Sequence, residues 1–137
     1  MKGRKSLKDA KRRKKEKSMN KKILICDDEE GIRESLKLIL SDHYDLILTN
    51  DGFQCLEVLA HSQEIALVLL DIKMPQKNGL DILKEIQQKY PQVKVVMIIG
   101  YKAVETATEA IRLGASGYIV KPFKSDEILE MVEGQMG

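Results

Sequence analysis

Five short apolar runs, each followed by a stretch with helical spacing, constrain this chain more than any other feature. The runs are ILIC (23–26), DLILT (45–49), ALVLLD (66–71), VKVVMII (93–99) and GYIV (117–120). They are nearly continuous rather than alternating, the pattern of strands covered on both faces of a parallel sheet. Ile32, Leu36, Ile39 and Leu40 predict a helix over 29–41. Gly52 to Ala60 reads as a second, with Phe53, Leu56 and Leu59 inward. Leu80, Leu83 and Ile86 form a third stripe that ends near Tyr90-Pro91, where the proline discourages continuation. A fourth helix over 103–113 turns Val104, Ala107, Ala110 and Ile111 inward, and Gly114 suits its termination. Ser125 can cap a fifth, with Ile128, Leu129 and Val132 on its inner face. Strands and helices alternating in this way predict a doubly wound α/β fold with right-handed crossovers. Its functional crevice should lie at the carboxyl ends of the strands.

With 137 residues, 43% hydrophobic and 32% charged, the chain can build one core and little more. Its net charge of +2 conceals two unlike parts. Residues 1–22 carry 12 Lys/Arg against 2 Asp/Glu, a net +10, and residues 23–137 carry 11 against 19, a net −8. The boundary drawn from this is a basic arm over 1–20 and a domain over 21–137. Nearly devoid of apolar residues, the arm is expected to be a disordered, solvated tail. It could attract nucleic acid or another polyanion, although it has no aromatics for stacking on bases. Met19 could also be the native start. Two cysteines, Cys26 and Cys55, do not make a disulfide framework or a zinc site. No apolar run reaches the ~18 residues of a membrane helix, and the N-terminus lacks a secretory h-region. A reduced, cytoplasmic protein with no membrane span is expected.

Chemistry concentrates at the strand ends. The first strand runs into Asp27, Asp28, Glu29 and Glu30, the third ends in Asp71, and the fifth ends in Lys121-Pro122. If the first and third strands are neighbours, Asp27, Asp28 and Asp71 crowd one edge. Two like charges ~4 Å apart repel by roughly 4 kcal/mol at an effective dielectric of ~20, so the set needs a cation or shifted pKa values. Hard oxygen ligands of this kind suit Mg²⁺, with Mn²⁺ as a substitute. Lys121 can bring an ammonium to the same edge. A carboxylate flanked by a divalent cation and a lysine is poised to accept a phosphoryl group. Individually, Asp27 and Asp28 could simply be acids at a helix N-terminus, and Asp71 a turn residue. His43 and His61 read as surface residues, Cys26 as a buried hydrophobe, Cys55 as a boundary position, and Met74, Met97 and Met131 as packing.

Taken together, ILICDDE (23–29), LVLLDIKMPQKNGLDIL (67–83), VVMIIGY (95–101) and GASGYIVKPF (114–123) resemble the receiver domain of two-component response regulators, over about residues 21–134. The resemblance implies a flavodoxin-like sheet with strand order 2-1-3-4-5. It also implies that Asp71 is the phosphoacceptor and that Mg²⁺ is held by Asp27, Asp28, Asp71 and the main-chain carbonyl of Lys73. Lys121 would contact the phosphoryl group, with a cis peptide to Pro122. Gly100 would offer a backbone N–H to the phosphoryl oxygens, and Lys73 and Tyr101 would flank the path of hydrolytic water. Tyr118 would be the aromatic switch. A histidine kinase or histidine phosphotransfer protein would be the donor. No enzyme turnover of a separate substrate is expected. An output domain is not expected within these residues, so a downstream effector would be met through the face of the fourth helix, fifth strand and fifth helix, carrying Tyr118, Val104 and Glu105.

One residue departs from the family pattern. Ile99 stands where Ser or Thr is usual, and no Ser or Thr occurs between Val93 and Glu105. Ile99 has no hydroxyl to donate and is stiff at χ1. Phosphorylation at Asp71 does not need that hydroxyl, whereas its coupling to Tyr118 does. Losing a hydrogen bond to a charged group forfeits roughly 1.5–3 kcal/mol, enough to impair a switch biased by a few. Two other readings stay open here. A phosphorylation-independent pseudo-receiver would use the fold for binding alone. A dehalogenase-type phosphatase would share the aspartyl nucleophile and metal, but Lys73 occupies the position of its usual second acid.

Overall fold

A computed structural model describes residues 21–74 and 77–137; for Tyr101 and Val104 it describes the backbone. The expectations for the arm therefore lie outside the described residues. Along the chain run β1 (Lys22–Cys26), α1 (Glu30–Leu40), β2 (Asp45–Thr49), α2 (Gly52–His61), β3 (Ile65–Asp71), α3 (Gly79–Lys89), β4 (Lys94–Gly100), α4 (Val104–Arg112), β5 (Gly117–Lys121) and α5 (Ser125–Met136). A single 3-10 turn, Tyr101–Ala103, leads into α4. The five strands are parallel, as their apolar runs predict, and lie in the order β2-β1-β3-β4-β5 that the resemblance implies.

Near-continuous apolar strands are what two covered faces require. Leu24, Cys26, Val68, Leu70, Val95, Met97 and Ile99 point to one face and join residues of α2, α3 and α4. Ile23, Ile25, Leu67, Leu69, Val96 and Ile98 point to the other, against α1 and α5. Burial of each such Leu or Ile contributes roughly 1.5–3 kcal/mol, so the central strands anchor both layers. Direction reverses between β1, whose neighbour on one side is β2, and β3 on its other side. The carboxyl ends of β1 and β3 at that reversal form the crevice of a doubly wound sheet.

Several inward assignments need correction. Phe53 is 56% exposed, and α2 instead buries Gly52, Cys55 and Leu59. The cause is Gly52, where a Cβ would stand 2.4 Å from Ile82 Cδ1. Close approach of α2 to α3 there rotates Phe53 outward and carries Cys55 into the core. Ile111 is likewise 45% exposed, because α4 packs through the small residues Ala107 and Ala110. Ile82 is fully buried although it lies outside the stripe read from the sequence. Ser125 is the first residue of α5 rather than its cap; Lys124 holds that position and makes no side-chain cap bond. Gly114 ends α4 with φ +106, a region that favours glycine. His43 and His61 are exposed, and Cys26, Met74 and Met97 are buried, as expected. No helix among the described residues is long and apolar enough to cross a membrane.

Candidate functional site

Parallel register brings the ends of β1, β3 and β5 to one edge of the sheet. Cys26 pairs with Leu70, Asp71 with Ile98, and Gly100 with Lys121. Asp27 follows β1 directly and is fully buried, its backbone N–H donating to Thr49 O at 3.1 Å. Asp71 closes β3 at 3% exposure. Oxygens of Asp27, Asp28, Glu29 and Asp71 all lie within 4.8 Å of one another. Asp28 and Glu29 are exposed, so the cluster has a buried floor and an open mouth.

Lys121 supplies the positive charge. Its Nζ lies 3.1 Å from Glu29 Oε1, 3.3 Å from Asp27 Oδ2 and 3.6 Å from Asp71 Oδ1. The fold thus brings together Asp27, Asp28, Asp71 and Lys121, the set that the sequence singles out. The Lys121–Pro122 peptide is cis, as the resemblance implies. Backbone donors complete the floor: Asp27 Oδ1 accepts from the Glu29 N–H at 2.9 Å, and Asp71 Oδ1 from the Lys73 N–H at 3.3 Å.

One ammonium does not balance this charge. Burial first, and then the neighbouring charge of Asp27, push the Asp71 carboxyl up to about 7, with Lys121 opposing. Burial also holds Asp27 above the usual carboxylate range, against the Glu29 N–H and Lys121. On Lys121 burial acts to lower the pKa, but the charges of Asp71 and Asp27 outweigh it and raise the ammonium. Asp27 Oδ2 is buried and, among the described residues, has no hydrogen-bond partner, its contact with Lys121 being an ion pair only. A buried carboxylate oxygen met among the described residues by one ammonium alone, beside two further carboxylates, leaves oxygen donors of the kind a hard divalent cation takes, so these residues fit Mg²⁺.

Other expected participants are distributed as follows. Ile99 is fully buried within the core shared by Met97, Ala107 and Ala110. Tyr118 is 40% exposed, its register partner being Met97 on the same sheet face as Ile99. Gly100 ends β4, and a Cβ there would meet nothing within 4 Å, so its space is open. Lys73 is exposed. Glu105 is exposed on α4; the side chains of Tyr101 and Val104 lie outside the described ones.

Three supporting residues do not stand out in the sequence. Arg33 Nη1 donates to Asp27 O at 2.8 Å, tying α1 to the end of β1. Gly79 starts α3 so close to the acceptor strand that a Cβ would stand 2.5 Å from Asp71 O and 2.7 Å from Ile72 Cα. Its N–H donates to Ile72 O at 2.9 Å. The Asn78-Gly79 pair after the third strand is the one signal the sequence offers for it. Glu29 reads in sequence only as one acid in a run, and its partner Lys121 lies 92 positions away.

A doubly wound sheet with acids ending β1 and β3 and a lysine ending β5 defines a small class. Residues 23–133 match the family described as the response regulator receiver domain, and the chain belongs to that family, a component of two-component signalling. It is 35% identical over 116 residues to the response regulator protein FleR of Pseudomonas aeruginosa, covering 83% of this chain and 24% of FleR. To the regulatory protein AtoC of Escherichia coli it is 35% identical over 113 residues, 82% of this chain and 24% of AtoC. The chain spans about a quarter of the length of these curated relatives. Among solved structures, the receiver domain of NtrX from Brucella abortus superposes with a TM-score of 0.80 at 38% identity, covering 83% of this chain and 97% of that one. A receiver domain from Clostridium thermocellum gives a TM-score of 0.80 at 28% identity, over 84% of this chain and 93% of that one.

Proposed function

We propose that the domain over residues 21–137 accepts a phosphoryl group on Asp71 from a phosphohistidine of a histidine kinase or histidine phosphotransfer protein. The observation that carries this reading is the joint approach of Asp27 Oδ2 and Asp71 Oδ1 to the Lys121 ammonium beside an oxygen cluster fit for a cation. Asp27, Asp28, Asp71 and the Lys73 carbonyl would hold Mg²⁺, which when bound supplies positive charge against the transferring group. Asp71 is the nucleophile: a carboxylate oxygen forms the bond to phosphorus as the phosphorus–nitrogen bond breaks, and the imidazole takes the leaving electron pair. The Lys73 N–H orients the attacking carboxylate, and Lys121 neutralises charge on the phosphoryl oxygens.

Output would leave through the face of α4, β5 and α5 toward an effector or output domain. The protein works in the cytoplasm as a signalling acceptor rather than an enzyme, and the basic arm is a separate element that can approach nucleic acid. Ile99 limits the switch. Buried and without a donor, it gives a phosphoryl group no hydroxyl to draw inward, so Tyr118 stays weakly coupled to Asp71. The same residue favours the second reading, a pseudo-receiver that binds partners irrespective of phosphate.

Intact mass after incubation with acetyl phosphate and Mg²⁺ separates the two. Phosphoacceptance predicts a metal-dependent gain of ~80 Da that Asp71→Asn abolishes. No gain in folded protein would leave binding alone as the function.

A further inference from the structure

Glu29 occupies the N-cap of α1, where Ser, Thr, Asp or Asn would accept a bond from a free helix N–H. Its backbone is extended, with φ −87 and ψ 116, yet its side chain makes no cap bond. The carboxylate instead reaches across the sheet edge to β5, where Oε1 accepts from Lys121 Nζ at 3.1 Å. Lys121 has two further carboxylates in range, Asp27 and Asp71, both at longer distance. Side-chain exposure is 61% at Glu29, 18% at Lys121 and 4% at Asp71. The shortest contact therefore draws the ammonium toward solvent and away from Asp71.

We propose that Glu29 is a positioning residue, a latch that holds the Lys121 ammonium at the mouth of the site until an incoming phosphoryl group takes its place as partner. The proposal rests on Asp71 as phosphoacceptor and adds a residue that reading does not use. With acetyl phosphate, the bond from phosphorus to the acetyl oxygen breaks as the Asp71 oxygen–phosphorus bond forms, and acetate leaves with the electron pair. Lys121 keeps its proton throughout and exchanges one anionic partner for another. An ion pair with one exposed partner is weak, while a phosphoryl group offers several charged oxygens, so the exchange runs toward the phosphoryl group. Reach matters as much as charge. Aspartate at position 29 would keep the charge but fall one methylene short of Lys121, and would gain the helix cap.

Glu29→Gln and Glu29→Asp, each in the full chain, test this with two readouts. Acylation of Lys121 by an amine reagent is quantified by peptide mass against exposed Lys84 on α3. The rate of phosphoryl gain is followed over a range of acetyl phosphate concentrations with Mg²⁺. The latch predicts that both variants lower Lys121 acylation, because the freed ammonium withdraws from the mouth toward buried Asp27 and Asp71, and raise the rate at saturating donor, each by about two- to fivefold, the range an exposed ion pair supports. A plain repulsion between Glu29 and the donor would leave Glu29→Asp like the wild type and would act on the half-saturating concentration. That result, or unchanged Lys121 acylation in both variants, overturns the latch. Absence of phosphoryl gain in the wild type would overturn the phosphoacceptor reading, and the acylation result alone would then decide whether Glu29 holds Lys121.

Discussion

Replacing Asp71 with Asn, in a chelator, should stabilise the protein, and the gain should depend on pH. Burial and the charge of Asp27 raise Asp71 from an ordinary 3.8 to about 7. The folded state therefore holds a proton that the unfolded state has lost between those values. Stability falls as pH rises from about 4 to about 7 and then levels off. At ~1.36 kcal/mol per pH unit the whole interval amounts to ~4 kcal/mol. The site opens to solvent past Asp28 and Glu29, and screening reduces this to about 1–2 kcal/mol. Asp71→Asn removes the charge and keeps the shape. At about pH 8 the variant should be more stable by that amount, with the thermal midpoint up about 3–10 °C. At about pH 3 the gain should vanish, because the wild-type carboxyl is then largely protonated in both states. Urea unfolding followed by circular dichroism in EDTA at several pH values provides the test. A variant that is less stable at about pH 8, or equally shifted at every pH, would refute the claim that like charges burden this edge.

Three further outcomes are expected. Ile99→Thr should cost about 1–3 kcal/mol in urea unfolding, through lost apolar burial and a buried hydroxyl, yet should give Tyr118 a larger phosphate-dependent NMR shift than the wild type shows. Asp28→Asn, on an exposed side chain, should change stability in chelator by less than about 0.5 kcal/mol. The same variant should weaken Mg²⁺ binding in calorimetry about tenfold or more. Gly79→Ala should lower stability by about 1–3 kcal/mol in the same urea assay, because its Cβ meets backbone rather than a yielding side chain.

Periodicity and strand ends make most of this fold legible in the sequence. Apolar runs buried on both faces specify a parallel sheet, and the order of that sheet places Asp27, Asp71 and Lys121 together. Their adjacency is legible because each sits at a strand's carboxyl end, where the fold allows chemistry to gather. Helix faces are less legible. Phe53 and Ile111 fit an apolar stripe, but the buried face is decided by how closely helices approach, and Gly52, Ala107 and Ala110 set that distance. Glu29 is hidden for another reason. A carboxylate beside two others carries no local sign that its partner is a lysine 92 positions on. Gly79 is hidden because a tight backbone approach arises only once the loop after β3 is folded.

Trapping the acyl phosphate tests the central claim most directly. Borohydride reduces an aspartyl phosphate to homoserine, so phosphorylation with acetyl phosphate and Mg²⁺, reduction and peptide mapping locate the acceptor to a residue. Homoserine at position 71, absent when Mg²⁺ is chelated or Lys121 is replaced by Ala, is the predicted result. Homoserine at Asp27 or Asp28, or at no position in folded protein, would contradict the assignment of Asp71 as the residue that takes the phosphoryl group.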